Sequence, residues 1–152
     1  MDLTGQPAPT IDLPRDGGTT VSLAQIDGPC VVFFYPRADT PGCTREAVEF
    51  TDRIEDFAAA GVAILGVSKD PVARQEKFRD KHALSVPLLS DADGDVCERY
   101  GTWVEKNMYG KKSMGIERST FLIDGTGTVV REWRKVKVDG HVEEVLQAAR
   151  AL

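Results

Sequence analysis

Two hydrophobic patterns alternate along the chain: short runs that are apolar at every position, and longer stretches in which apolar residues recur every three or four. The run Cys30-Val31-Val32-Phe33-Phe34-Tyr35 is β-branched and aromatic throughout, the pattern of a strand buried on both faces. Pro36 ends it. Ahead of it, segments 10–13 and 19–23 flank Arg15-Asp16-Gly17-Gly18 and predict a hairpin. Downstream, Val48, Phe50, Ile54, Phe57 and Ala58 recur at helical spacing and predict one helix over 41–60, stopped by Gly61. A second buried strand follows at 62–67. Asp70-Pro71 opens another helix, with Asp70 as N-cap and Pro71 at the first helical position, running to about His82. A strand at 86–89 and a short helix at 95–100 come next, then a Gly- and Lys-containing loop. Strands at 119–123 and 128–133 around Asp124-Gly125-Thr126-Gly127 predict a second hairpin. A helix over 142–152 closes the chain.

The predicted order is β-β-β-α-β-α-β-α-β-β-α. Strands alternating with helices imply a partly parallel sheet covered on both faces, and the final hairpin makes that sheet mixed. The expected fold is therefore α/β and thioredoxin-like, with an N-terminal β-hairpin extension. The 152 residues suit one domain, 1–152, around one core. At 41% apolar and 28% charged, the composition is that of an ordinary folded protein rather than a disordered one. A net charge of -5 argues against a nucleic-acid partner, which needs clustered positive charge. The basic residues Arg131, Arg134, Lys135 and Lys137 are interleaved with Val and Trp and read as a solvated face. The first residues show no basic stretch followed by an apolar run. No apolar segment approaches the ~20 residues that span a bilayer. A cytoplasmic protein with no membrane partner is expected.

Three cysteines, Cys30, Cys43 and Cys97, are a poor disulfide framework. There is no CxxC, and no Cys/His cluster has zinc spacing, so neither metal nor organic cofactor is implied. Asp91-x-Asp93-x-Asp95 begins like a calcium loop, but Val96 replaces the required glycine and Thr102 the closing glutamate. Helix capping is the better reading there. Gly125-x-Gly127 precedes a strand and lacks the third glycine of a dinucleotide loop. Cys30 opens a buried strand and reads as core packing. Trp103 and Tyr109, in the loop before Arg118, are candidates to wall a pocket or simply to pack.

Cys43 stands out because of where it lies. It falls in the first turn of the helix that follows the buried strand. Backbone N–H groups there lack intrahelical partners, and with the helix dipole they favour an anion such as a thiolate. Thr40, three residues earlier, offers a hydroxyl to the thiolate. Pro36 and Pro41 stiffen the loop. The plain alternative is a small buried cysteine with no chemistry, and position alone does not choose between them.

The spacing Pro36-x-x-x-Thr40-x-x-Cys43 resembles the active-site pattern of the peroxiredoxins. The longer run FYPRADTPGCTREA resembles the PrxQ subfamily, also called bacterioferritin comigratory proteins, and the resemblance continues through LLSDADGDVCERYGTW and GIERSTFLIDGTG. It implies a thiol-dependent peroxidase acting on H2O2 and organic hydroperoxides. Cys43 would be the peroxidatic cysteine, becoming a sulfenic acid. Thr40 would bind the peroxide and Pro36 would shape the pocket. Arg118 would stabilise the thiolate and the charge developing on the leaving oxygen, and Glu46 would hold Arg118. The chain departs from the subfamily in one respect. Val48 occupies the place five residues after Cys43 where many members carry a resolving cysteine, and the helix from Asp70 to His82 has no cysteine either. The expected cycle is therefore a one-cysteine one, with an external thiol (thioredoxin, glutaredoxin or glutathione) as reductant. The alternatives are resolution by Cys97, a reductase using Cys43 and Cys97 as a disulfide pair, and a redox sensor or binding protein without turnover. A monomer is expected, with a weak dimer as the alternative.

Overall fold

The computed structural model describes residues 2–152. Five strands form the central sheet, in the spatial order β5-β4-β3-β8-β9: β3 (Cys30–Phe34), β4 (Ala63–Ser68), β5 (Leu88–Ser90), β8 (Ser119–Ile123) and β9 (Val129–Trp133). β3, β4 and β5 run parallel, and β8 and β9 add antiparallel to them. This is the mixed sheet expected. β1 (Asp12–Pro14) and β2 (Thr20–Ser22) form the N-terminal hairpin, shorter than its sequence pattern suggests.

β3 is buried at every position because both faces of the sheet are covered. Val31 and Phe33 point into a core built with Phe50, Phe57, Phe78, Val145 and Leu146. These residues come from α1 (Pro41–Asp52), α2 (Ile54–Ala59), α3 (Val72–His82) and α5 (His141–Arg150). Cys30, Val32 and Phe34 face the other core, with Ile11, Leu13, Phe121, and Val96, Cys97 and Tyr100 on or just after α4 (Val96–Arg99). Gly66 of β4 lies opposite Phe33, and a Cβ there would sit 2.8 Å from its ring. Only glycine lets the sheet and that ring pack so closely.

Five expectations are corrected. The helix predicted over 41–60 is two helices, broken at Arg53, whose N–H turns back to Phe50 and Thr51 and whose guanidinium reaches Asp56 and Glu143. The break lets Phe57 face Phe50, with ring centroids 5.9 Å apart. Asp70 does not cap α3; Pro71 holds the cap position, and the Asp70 carboxylate is used elsewhere. The Gly- and Lys-containing loop is a hairpin of β6 (Trp103–Met108) and β7 (Lys111–Ile116), detached from the central sheet. Tyr109 sits fully exposed at its tip and walls no pocket, whereas Trp103 packs at the base beneath Lys69. Arg134 is no solvated charge: it donates to Glu132 and to the carbonyls of Tyr100 and Gly101. Asp91 does cap, accepting from the N–H groups of Val96 and Cys97.

His141 opens α5 and is buried. Its Nε2 lies 2.8 Å from Thr120 Oγ1, and its ring meets Phe50 and Trp133 edge-on. Burial pushes this imidazole down from 6.5 to about 4, against the pull of Glu144 and helped by the charges of Arg118 and Arg131. The ring is thus neutral in the fold, while the unfolded chain takes up a proton first. Stability is lost as pH falls from 6.5 towards 4. His141→Gln keeps a partner for Thr120 and removes this titration. In urea unfolding, the wild type should lose about 3 kcal/mol more than the variant between about pH 7 and about pH 4.

Candidate active site

Three strand ends meet at one edge of the sheet. β3 ends at Phe34, β4 leads through Ser68 to Asp70, and the antiparallel register of β8 sets Ser119 opposite Phe34. Arg118 therefore leaves the sheet where Tyr35 and Pro36 do. Thr40 precedes α1 with extended backbone, Pro41 is the first helical residue, and Cys43 is the third. Thr44 is the first residue of the turn to bond back, to the Thr40 carbonyl at 2.8 Å. The N–H groups of Gly42 and Cys43 are left without helical partners.

Cys43 is 1% exposed. Its Sγ accepts from Nη2 of Arg118 at 3.4 Å, while Nη1 of the same guanidinium donates to Glu46 Oε1 at 2.8 Å. Gly42 makes this possible, since a Cβ there would lie 3.1 Å from Nη2. Glu46 is completely buried, and its Oε2 has no hydrogen-bond partner. Burial pushes its carboxyl up to about 7, against the opposing charge of Arg118. Burial opposes the charge on Arg118 too, but Glu46 and Cys43 beside it more than offset that and raise its affinity for the proton.

Pro36 lies in the loop, partly buried, after fully buried Tyr35. The Thr40 hydroxyl donates to the Arg37 carbonyl at 2.9 Å. Its hydrogen is used there, and the oxygen's lone pairs remain for an incoming donor. Cys43, Glu46 and Arg118 are thus brought together, with Thr40 one turn away. Cys97 is not part of this group. It is fully buried in the core on the opposite face of the sheet, and burial pushes its thiol well up. Cys30 is equally buried, with its thiol pushed up to about 12. All three cysteines are free thiols. Among the described residues, no group of three His, Cys, Asp or Glu could hold a metal ion.

One support was missed in the sequence. Asp70 Oδ2 accepts from the N–H of Ala38 at 2.7 Å and from Ser68 Oγ at 2.6 Å. Gln75, fully buried on α3, donates to Ser68 Oγ and to the Leu89 carbonyl and accepts from the Tyr35 hydroxyl. This network ties the loop before Cys43 to β4, β5 and α3. The only signal for it was a polar residue, Gln75, at a core-facing helical position.

A family model described as the AhpC/TSA family matches residues 4–132. A putative peroxiredoxin bcp of Coxiella burnetii is 52% identical over 143 residues, 93% of this chain and 95% of that protein. Peroxiredoxin Bcp of Bacillus subtilis is 47% identical over 147 residues, 96% and 94% of the two chains. The bacterioferritin comigratory protein of Xanthomonas campestris, solved in trapped intermediate and ligand complexes that bear on alkyl peroxide reduction, matches with a TM-score of 0.88. It is 45% identical, over 93% of this chain and 90% of that one. The thioredoxin-like fold agrees with these relatives, and the chain belongs to the AhpC/TSA family as a peroxiredoxin of the Bcp or PrxQ kind, a thiol-dependent peroxidase.

Proposed function

We propose that Cys43 is the peroxidatic cysteine and that the chain, as one domain over 1–152, works by a one-cysteine cycle. The observation that carries this reading is the Arg118 guanidinium bridging Cys43 Sγ and buried Glu46. The Cys43 thiolate attacks the terminal oxygen of the hydroperoxide. The S–O bond forms as the O–O bond breaks, giving Cys43 sulfenic acid and an alkoxide or hydroxide that is then protonated. Arg118 stabilises the thiolate and the charge moving onto the leaving oxygen. Thr40 accepts from the peroxide O–H, and Pro36 keeps the loop rigid. Glu46 acts through Arg118, as a positioning residue.

An external thiol then attacks the sulfenic sulfur, releasing water and leaving a mixed disulfide. A second thiol releases Cys43 and carries away the disulfide. Thioredoxin, glutaredoxin or glutathione could supply it. Cys97 is a poor resolver, because a disulfide needs the two Cα atoms within about 7 Å and the sheet lies between them. Three free thiols fit a cytoplasmic setting. We read the protein as a monomer.

One equivalent of H2O2 should add one oxygen to the reduced protein in intact mass spectrometry. Cys43→Ser should abolish the gain and Cys97→Ser should leave it. Loss of two hydrogens, abolished by either substitution, would instead assign resolution to Cys97. Arg118→Met should slow oxidation of Cys43 by roughly 10²–10³-fold in stopped-flow kinetics, the usual cost of one oxyanion donor. Arg118→Lys should recover little, since a lysine keeps the charge but loses the fork that spans Glu46 and sulfur. With no cysteine at position 48, the sulfenic acid outlives that of a two-cysteine relative and is open to sulfinic acid formation. Val48→Cys should therefore raise the peroxide concentration that inactivates the enzyme, read side by side in a peroxide titration.

A further inference from the structure

Beside the active-site loop, on the α3 side, lies a half-open cavity of about 730 Å³, within the range of small-molecule sites. Its floor includes Phe78, and its rim carries Arg74, Lys77, Lys81, Asp39 and Asp80. Three cations and two carboxylates surround an apolar base. Arg74 pairs with Asp70, Lys81 with Asp39, and Asp80 with Arg79. Lys77 is exposed and makes no ion pair among the described residues. The cavity therefore holds one uncommitted positive charge in a protein whose net charge is -5.

Asp39 forms the boundary between this cavity and the catalytic helix. Its backbone is left-handed, φ 64°, next to the Ala38 and Thr40 positions that set up α1. Its carboxylate is held from α3 by Lys81 Nζ at 2.9 Å and His82 Nε2 at 2.8 Å. On the inner side, Phe78 packs against Tyr35, whose hydroxyl joins the network that fixes the loop.

We propose that this cavity docks the reducing thiol, and that the thiol is a small peptide-like molecule bearing free carboxylates and an amine, of the glutathione class. The proposal deepens the one-cysteine reading and rests on it. Lys77 and Arg74 bind the carboxylates, Asp80 faces the ammonium, and Phe78 supports the aliphatic body. A carboxylate that engages Lys81 competes with Asp39 for it and releases one of the two contacts holding the strained turn. The first turn of α1 then opens, and the buried Cys43 sulfur meets the ligand's thiol. The chemistry balances: Cys43 sulfenic acid and one thiol give a mixed disulfide and water, and a second thiol gives Cys43 thiol and the ligand's own disulfide.

The test is steady-state peroxidase turnover at low ionic strength, with glutathione and with uncharged dithiothreitol as reductants. Glutathione should sustain turnover, and S-methylglutathione should compete with it. Lys77→Glu should raise the ratio of the KM for glutathione to the KM for dithiothreitol about tenfold, and added salt should shrink that effect. The same reversal on the distant hairpin, Lys106→Glu, should leave the ratio unmoved. A ratio unchanged in Lys77→Glu overturns the site. Turnover with thioredoxin and dithiothreitol but not glutathione overturns it as well, and leaves the one-cysteine cycle standing. If Cys43 is oxidised yet no thiol sustains turnover, the cycle itself fails and the site with it.

Discussion

A largely buried guanidinium shared between a carboxylate and a sulfur sets the terms for the candidate site. Glu46 is fully buried, Arg118 is mostly so, and Cys43 is closed off from solvent. Removing Glu46 would leave the Arg118 charge buried without its carboxylate, at a cost of about 3–5 kcal/mol. Glu46 is also left with one oxygen unsatisfied, a group that normally costs free energy when buried. On the proposed assignment of Cys43 and Arg118, one donor of the fork is held on the sulfur with the other already committed, so little reorganisation remains when charge moves in the reaction.

The rest of the local structure serves that geometry. β8 delivers Arg118 because its register ends opposite the last residue of β3. β4 delivers Asp70, which fixes Ala38, and Gly42 removes the Cβ that would push the guanidinium away. The parallel strands end on the same side, where α/β sheets commonly hold their reactive groups. The loop and helix start around Cys43, the Asp70 carboxylate and Arg118 thus come from three distant parts of the chain and are made coherent by one sheet edge.

Much of this was legible in the sequence. The continuous apolar run at β3 reported a doubly covered strand, and the short motif around Cys43 with Arg118 and Glu46 pointed to the residues that converge. What escaped has physical reasons. The β6–β7 hairpin is mostly solvated and turns at Tyr109-Gly110, where Tyr109 takes a left-handed backbone (φ 54°) that Asn or Asp would ordinarily fill. No glycine or proline marks the break at Arg53, which accompanies the packing of Phe57 against Phe50. Asp70-Pro71 looks like a helix start at the level of neighbours, but the partner that claims the carboxylate, Ala38, is 32 residues away.

The sheet between Cys43 and Cys97 has a kinetic consequence. Five hydrogen-bonded strands separate the two thiols, one in each core. On a one-cysteine cycle, the molecule then carries no internal store of reducing power, and each turnover waits on an encounter with the surrounding thiol pool. The fraction of molecules oxidised at any moment follows the ratio of peroxide supply to thiol supply, so the enzyme's own oxidation state tracks the balance it acts to restore.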